Sequence, residues 1–286
     1  MQYSVEKARA YAKAFRRPIF ASLAKGEDPR NILNFFEGSD FFDEQMSLRE
    51  LFTLAFDSVR KSYRNEYIYK SAITNRIVMG RHSPLTSSLA VELPVGNSIV
   101  DIAVFNGTST AYEIKTEFDS PRRLYSQTPD YVKAFERVYI VTHPNLAERY
   151  CELNIPNVGI MTLSKRDSLH ILKEASSNLE SIDLDIIFNM LRRPEYVEIV
   201  ENYTSEKLDM PNGLIGSYCK EIFCQIPINV AHKLFLNAMR ARTTTKDVAD
   251  FIYSLPACLR ALGYATPLSK KQKEYLIKIM DLKMVS

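Results

Sequence analysis

The sequence predicts an α/β protein in which a mixed β-sheet is flanked by N-terminal and C-terminal helical regions. Three observations carry this. Residues 99–104 (IVDIAV) and 110–115 (TAYEIK) are short apolar runs on either side of an Asn106-Gly107 turn, which is a hairpin signature. Residues 137–142 (RVYIVT) and 158–163 (VGIMTL) are continuous apolar runs of strand length, as buried strands are. Outside this stretch apolar residues recur every three to four positions, the helical period.

In chain order, residues 5–24 and 47–60 read as helices, separated by a turn-prone Gly26-Glu27-Asp28-Pro29 break and a phenylalanine-rich patch (Phe35, Phe36, Phe41, Phe42). That patch reads as packing rather than as a base-stacking platform. Residues 63–79 are helical, with Glu66 ahead of Tyr69, Ile73 and Ile77. A first strand covers 89–94, then the hairpin, then a helix opened by Ser120-Pro121. After the strand at 137–142, residues 145–153 are helical, 158–163 are a strand, and 167–173 fit either type. From about 184 onward 196–203, 229–242, 245–255 and 270–282 look helical. The expected division is a helical region at 1–61, a core at 62–180 and a second helical region at 181–286.

The hairpin carries charge where a buried sheet should be apolar. Side chains alternate along a strand, so Asp101 shares a face with Ala103 and Phe105, and Glu113 with Ala111 and Lys115. Matching apolar faces pairs Ile102 with Tyr112 and Val100 with Ile114, which sets Asp101 opposite Glu113, about 5 Å apart at Cβ. A two-residue Asn-Gly turn would shift this register by one, so a longer loop or a bulge is expected within 106–109. Three charges on adjacent strands need a compensating partner, and a divalent metal ion is the simplest.

Asp101 followed by Glu113-x-Lys115 resembles the core of the PD-(D/E)XK nuclease superfamily. Gln127-x-x-x-Tyr131 looks like the QxxxY element of its RecB-type branch, and the predicted order of helix, three strands, helix and strand resembles its restriction-endonuclease-like αβββαβ core. The resemblance covers roughly residues 62–165 and is greatest to small stand-alone bacterial and prophage-borne members. It implies Mg²⁺- or Mn²⁺-dependent phosphodiester hydrolysis, with DNA the expected substrate. Asp101, Glu113, the carbonyl of Ile114 and Glu66 would hold the metal, with Glu92 the competitor for the place of Glu66. Lys115 would orient the attacking water or stabilise the transition state, and Gln127 and Tyr131 would steady the site. Arg122 and Arg123, at a helix start just past it, suit a phosphate.

One departure stands out. Thr128-Pro129-Asp130 reads as an N-cap with proline in the first turn, which would restart the helix between Gln127 and Tyr131. Two alternatives to a nuclease stay open: a nucleic-acid-binding protein that keeps the fold without catalysis, and a protein-interaction module of a phage-defence or mobile-element system.

Composition agrees with an intracellular enzyme. The chain of 286 residues is 46% hydrophobic, enough for a real core, and its net charge of +3 permits nucleic-acid binding without demanding it. The first ten residues hold no apolar h-region, and no run reaches membrane-span length, so a cytoplasmic protein is expected. The four cysteines form no CxxC pair and read as buried reduced thiols. The helical flanks are candidate surfaces for a homodimer or a protein partner.

Overall fold

The computed structural model describes residues 2–36, 39–43 and 45–283. They form two compact units, Met1–Pro84 with Lys246–Ser286, and Leu85–Thr245. This is not the three-part division read from the sequence. The expected core loses its leading helix to the first unit, and the sheet unit keeps residues up to 245.

The first unit opens with α1 (Gln2–Ala12), α2 (Arg17–Ala24), α3 (Leu48–Ser62) and α4 (Glu66–Ile73), and α4 widens into a π-helical stretch over Thr74–Arg81. Ser47 and Glu50 form a capping box on α3: Ser47 N donates to Glu50 Oε2 (2.8 Å) and Glu50 N to Ser47 Oγ (3.3 Å). The phenylalanine-rich patch is packing, as expected, with Tyr11 lying 5.7 Å from Phe36 and 5.2 Å from Phe41 between ring centroids.

The second unit is built on one six-stranded mixed sheet in sequential order: β1 (Ser88–Val95), β2 (Ser98–Phe105), β3 (Ser109–Lys115), β4 (Arg137–Thr142), β5 (Val158–Leu163) and β6 (Leu169–Lys173). The first three strands pair antiparallel, β3–β4–β5 run parallel, and β6 returns antiparallel, so 167–173 resolves as an edge strand. The parallel strands need crossovers, supplied by α5 (Leu124–Val132) and α6 (Ala147–Glu152). All of β3 and β5 is buried, which explains their unbroken apolar character. Gly159 is required in β5 because a Cβ there would fall 2.4 Å from the ring of Tyr139 and 2.7 Å from Ala175 N.

One face of this sheet carries α5 and the helices α7 (Leu184–Asn189), α8 (Arg193–Thr204), α9 (Asn212–Gln225) and α10 (Ile228–Ala241), around a core holding Phe105, Phe135, Phe223 and Phe235. Helix α9 has no counterpart in the sequence reading. Its two glycines mask a stripe of Ile215, Cys219 and Phe223 that is four-spaced and buried. The chain then returns to the first unit as α11 (Lys246–Ser254), α12 (Arg260–Ala265) and α13 (Lys270–Met280). There Tyr67 Oη donates to the carbonyl of Cys258 (2.5 Å) and Arg49 pairs with Asp281 (2.8 Å).

One cysteine departs from expectation: Cys219 and Cys258 are buried and Cys151 partly so, but Cys224 is exposed at the end of α9. Burial pushes the Cys258 thiol up to about 12, so it behaves as an inert apolar group. No helix among the described residues is long and apolar enough to cross a membrane.

Candidate active site

The hairpin has the register that its apolar faces demand: Ile102 lies opposite Tyr112, Ala103 opposite Ala111 and Phe105 opposite Ser109. The connection is the three-residue loop Asn106-Gly107-Thr108, closed by Asn106 N on Thr108 O (3.1 Å) and Thr108 N on Asn106 Oδ1 (3.0 Å). An asparagine side chain thus takes up the amide that a two-residue turn would have paired across the strands.

Beyond Ile102 the two strands part, so the expected pairs of Val100 with Ile114 and Asp101 with Glu113 are not in the ladder. Glu92, the residue of β1 level with Asp101, has φ +54°, a left-handed conformation that breaks the regular pleat. Ala103 and Val100 are three residues apart, yet both enter the same core, so the strand rotates between them. Asp101 fills the gap with its side chain, and its Oδ2 accepts the amide proton of Ile114 at 2.7 Å. The carboxylate of Asp101 is thereby fixed against the strand that carries Glu113 and Lys115.

Glu113 is 2% exposed and Lys115 7%. Lys115 Nζ lies 2.5 Å from Glu113 Oε1, while Tyr131 Oη is 2.9 Å from Glu113 Oε2 and 2.7 Å from the carbonyl of Ile99. Gln127 closes the ring, with Nε2 donating to Tyr131 Oη (3.2 Å) and Oε1 accepting from Lys115 Nζ (3.4 Å). Burial first, then the charge of Glu113, pushes the Tyr131 phenol far above its ordinary range, so it is a permanent donor and not a base. The carbonyl of Lys115 accepts from Thr142 Oγ1 (2.8 Å), which pins the end of β3 to β4.

Gln127 and Tyr131 meet because α5 is one continuous helix with Pro129 inside it, contrary to the expected restart. Pro129 sits on the exposed side, where the lost backbone bond falls to water, and Thr128 Oγ1 turns back to Leu124 O (2.6 Å) instead of capping. Asp130 does not cap either. Its Oδ2 accepts from Asn97 N (3.1 Å) and Ser98 Oγ (2.5 Å) in the β1–β2 turn, an anchor that the Thr-Pro-Asp pattern, which fits an N-cap equally well, does not announce. The Ser120-Pro121 start is observed, with Arg122 N on Ser120 Oγ (3.3 Å). Arg122 and Arg123 both point into solvent just before α5.

Asp101, Glu113, Lys115, Gln127 and Tyr131 are therefore gathered in the sheet unit. Glu66 belongs to the other unit, where it opens α4 and pairs with Lys70 at 2.6 Å. Glu92 is exposed on β1. Among the described residues no group of three or more His, Cys, Asp or Glu is placed to hold a metal ion. Asp101 and Glu113 remain, two hard oxygen donors on neighbouring strands. In kind and number they match what Mg²⁺ takes from a protein, the other positions going to water and phosphate.

The sheet unit is thus a mixed six-stranded sheet in which a half-buried aspartate lies by a buried Glu/Lys pair under a helix. The family model for bacteriophage P4 protein cII matches residues 59–252, and the chain belongs to that family. It is 27% identical over 140 residues to protein cII of Enterobacteria phage P4, an alignment covering 49% of this chain and 50% of that protein. The chain thus aligns with about half the length of that curated relative. No solved structure matches the chain.

Proposed function

We propose that the protein is a metal-dependent phosphodiesterase of the PD-(D/E)XK type, with a restriction-endonuclease-like core and DNA as substrate. The observation that carries this is the clasp on Glu113: Lys115 on one oxygen, Tyr131 on the other, and Gln127 joining the two. A surface Glu-x-Lys needs no such frame, whereas a site that must present charge in fixed geometry does. Kinship with a phage protein agrees with a prophage-borne enzyme.

Asp101 and Glu113, with the carbonyl of Ile114, would hold Mg²⁺ or Mn²⁺; Glu66, engaged by Lys70, is left out of the set. When bound, the ion supplies Lewis acidity and an acidified water. The chain's own residues do the rest. Asp101 is aimed by the Ile114 amide, Glu113 by Tyr131, and Lys115 by Gln127. The Lys115 ammonium, shielded from bulk water, stabilises negative charge on the phosphoryl oxygens or orients the attacking water. Arg122 and Arg123 hold the strand by its phosphates.

One observation favours a second reading, a nucleic-acid-binding protein without catalysis. Both oxygens of Glu113 are already engaged within the chain, and the described residues gather no third acid. Incubation of wild type and Asp101→Ala with closed circular, linear and single-stranded DNA and with RNA, in Mg²⁺, Mn²⁺ or EDTA, separates the two. Metal-dependent cutting lost in Asp101→Ala is the expected result. Retained binding with no cutting under any condition overturns the nuclease reading in favour of the second.

A further inference from the structure

We infer that the strand reaching this site is unpaired: the segment after Lys115 is a stacking and phosphate-binding edge for single-stranded DNA. What becomes of the strand rests on the nuclease reading; its binding does not. Two exposed aromatic residues follow the chain's exit from β3. Phe118 is 59% exposed, and Tyr125, in the first turn of α5, is 65% exposed. Helix α5 turns Leu124, Thr128 and Tyr131 inward and Gln127 toward Lys115, which leaves Tyr125 directed outward. The Tyr125 side chain has no ring contact or hydrogen bond among the described residues.

Two arginines accompany these rings. Neither the Arg122 nor the Arg123 guanidinium has an ion-pair partner among the described residues, and both residues are exposed. The two acids of the same loop, which balance that charge in sum, are tied into its own contacts: Asp119 Oδ2 accepts from Thr116 N (2.9 Å) and Oγ1 (2.7 Å), and Glu117 lies 3.3 Å from His143 Nδ1. Outward-facing flat apolar rings beside uncommitted guanidinium groups call for a ligand that alternates flat apolar faces with anions. A polynucleotide does so, but a duplex hides its base faces within its own stack. An unpaired strand offers both.

The test uses the full chain in EDTA, so that cleavage plays no part, with fluorescence anisotropy on labelled oligothymidylate, a duplex of equal length and oligouridylate. Oligothymidylate is expected to bind in preference to the duplex. Tyr125→Ala should weaken it roughly 5- to 150-fold, the loss of one stacked base, and Tyr125→Phe should restore it. Arg122→Ala with Arg123→Ala should lower the slope of log affinity on log salt by about 1.4, the share of two phosphates. Thermal unfolding checks that each variant is folded. Unchanged binding in Tyr125→Ala, equal losses on duplex and single strand, or tighter binding of oligouridylate overturns the inference. If cutting depends on Asp101 but binding ignores Tyr125, this inference fails alone. If binding depends on Tyr125 and nothing is cut, the nuclease reading fails alone.

Discussion

The buried pair of Glu113 and Lys115 gives the most direct quantitative test of the site. Lys115→Met removes the ammonium and leaves the Glu113 carboxylate with Tyr131 as its remaining donor; Glu113→Gln leaves the ammonium facing neutral oxygens. Breaking a buried ion pair from one side costs about 3–5 kcal/mol, because the survivor is a desolvated charge. The partners that remain on either side place each single variant near the lower bound, about 3 kcal/mol. The double variant buries no net charge in the pair and keeps the Tyr131 contact to the amide, so it should fall within about 1 kcal/mol of wild type. The double variant is thus more stable than either single one, a coupling of about 5 kcal/mol. Urea unfolding followed by far-ultraviolet circular dichroism reads this directly, since the chain has no tryptophan. A second readout addresses the metal. With its neutralising lysine gone, Lys115→Met should gain more thermal stability from Mg²⁺ than wild type does, and Glu113→Gln should gain less. Single variants each within about 1 kcal/mol of wild type, or a double variant that sums their losses, would refute the reasoning.

Three further outcomes follow from the same geometry. Asp101→Ala should cost about 1–3 kcal/mol in urea unfolding by orphaning the Ile114 amide, whereas Asp101→Asn, which keeps an acceptor there, should cost less than about 1 kcal/mol and still lose metal-dependent cutting. Burial holds the His232 imidazole, whose Nε2 lies 2.9 Å from Ser109 Oγ, below its ordinary value of 6.5. The unfolded chain therefore binds the proton first, and stability should fall as pH drops below 6.5, by at most about 1.4 kcal/mol per pH unit, with His232→Gln flattening that slope. Gly159→Ala drives a methyl into the Tyr139 ring and the Ala175 amide, and should cost about 3 kcal/mol, seen as a lowered Tm.

What the sequence made legible was whatever short-range alternation decides. The β2–β3 register follows from one apolar face meeting another, and that preference was strong enough to open an Asn-Gly turn into a three-residue loop. The limits of β4 and β5 follow from unbroken apolar runs that only a doubly covered parallel strand tolerates. What stayed hidden depends on contacts far along the chain. Pro129 reads locally as a helix start. The continuous helix is fixed instead by Tyr131 gripping Glu113 and Ile99, and by Asp130 gripping the β1–β2 turn. Likewise Glu66 stands at helical spacing to Tyr69, Ile73 and Ile77, but its unit is completed by residues beyond 245, and no local pattern announces that pairing.

The left-handed backbone of Glu92 draws these threads together. A non-glycine residue in that region costs of order 1 kcal/mol, so a strand keeps one only where the surroundings dictate it. Here the surroundings are the two sides of a break: Val91 pairs with Ile102 and Leu93 with Val100, and between them neither Glu92 nor Asp101 is in the ladder. A regular ladder would alternate Asp101 with its neighbours and leave the Ile114 amide to a backbone carbonyl. The break turns the Asp101 carboxylate to that amide and returns Val100 to the core. Strain in β1 is thus exchanged for a carboxylate fixed against the strand of Glu113, the residue that Tyr131 of α5 also holds. A sheet under no demand but stability gains nothing from that exchange. A sheet that must hold two carboxylates and an ammonium close together does.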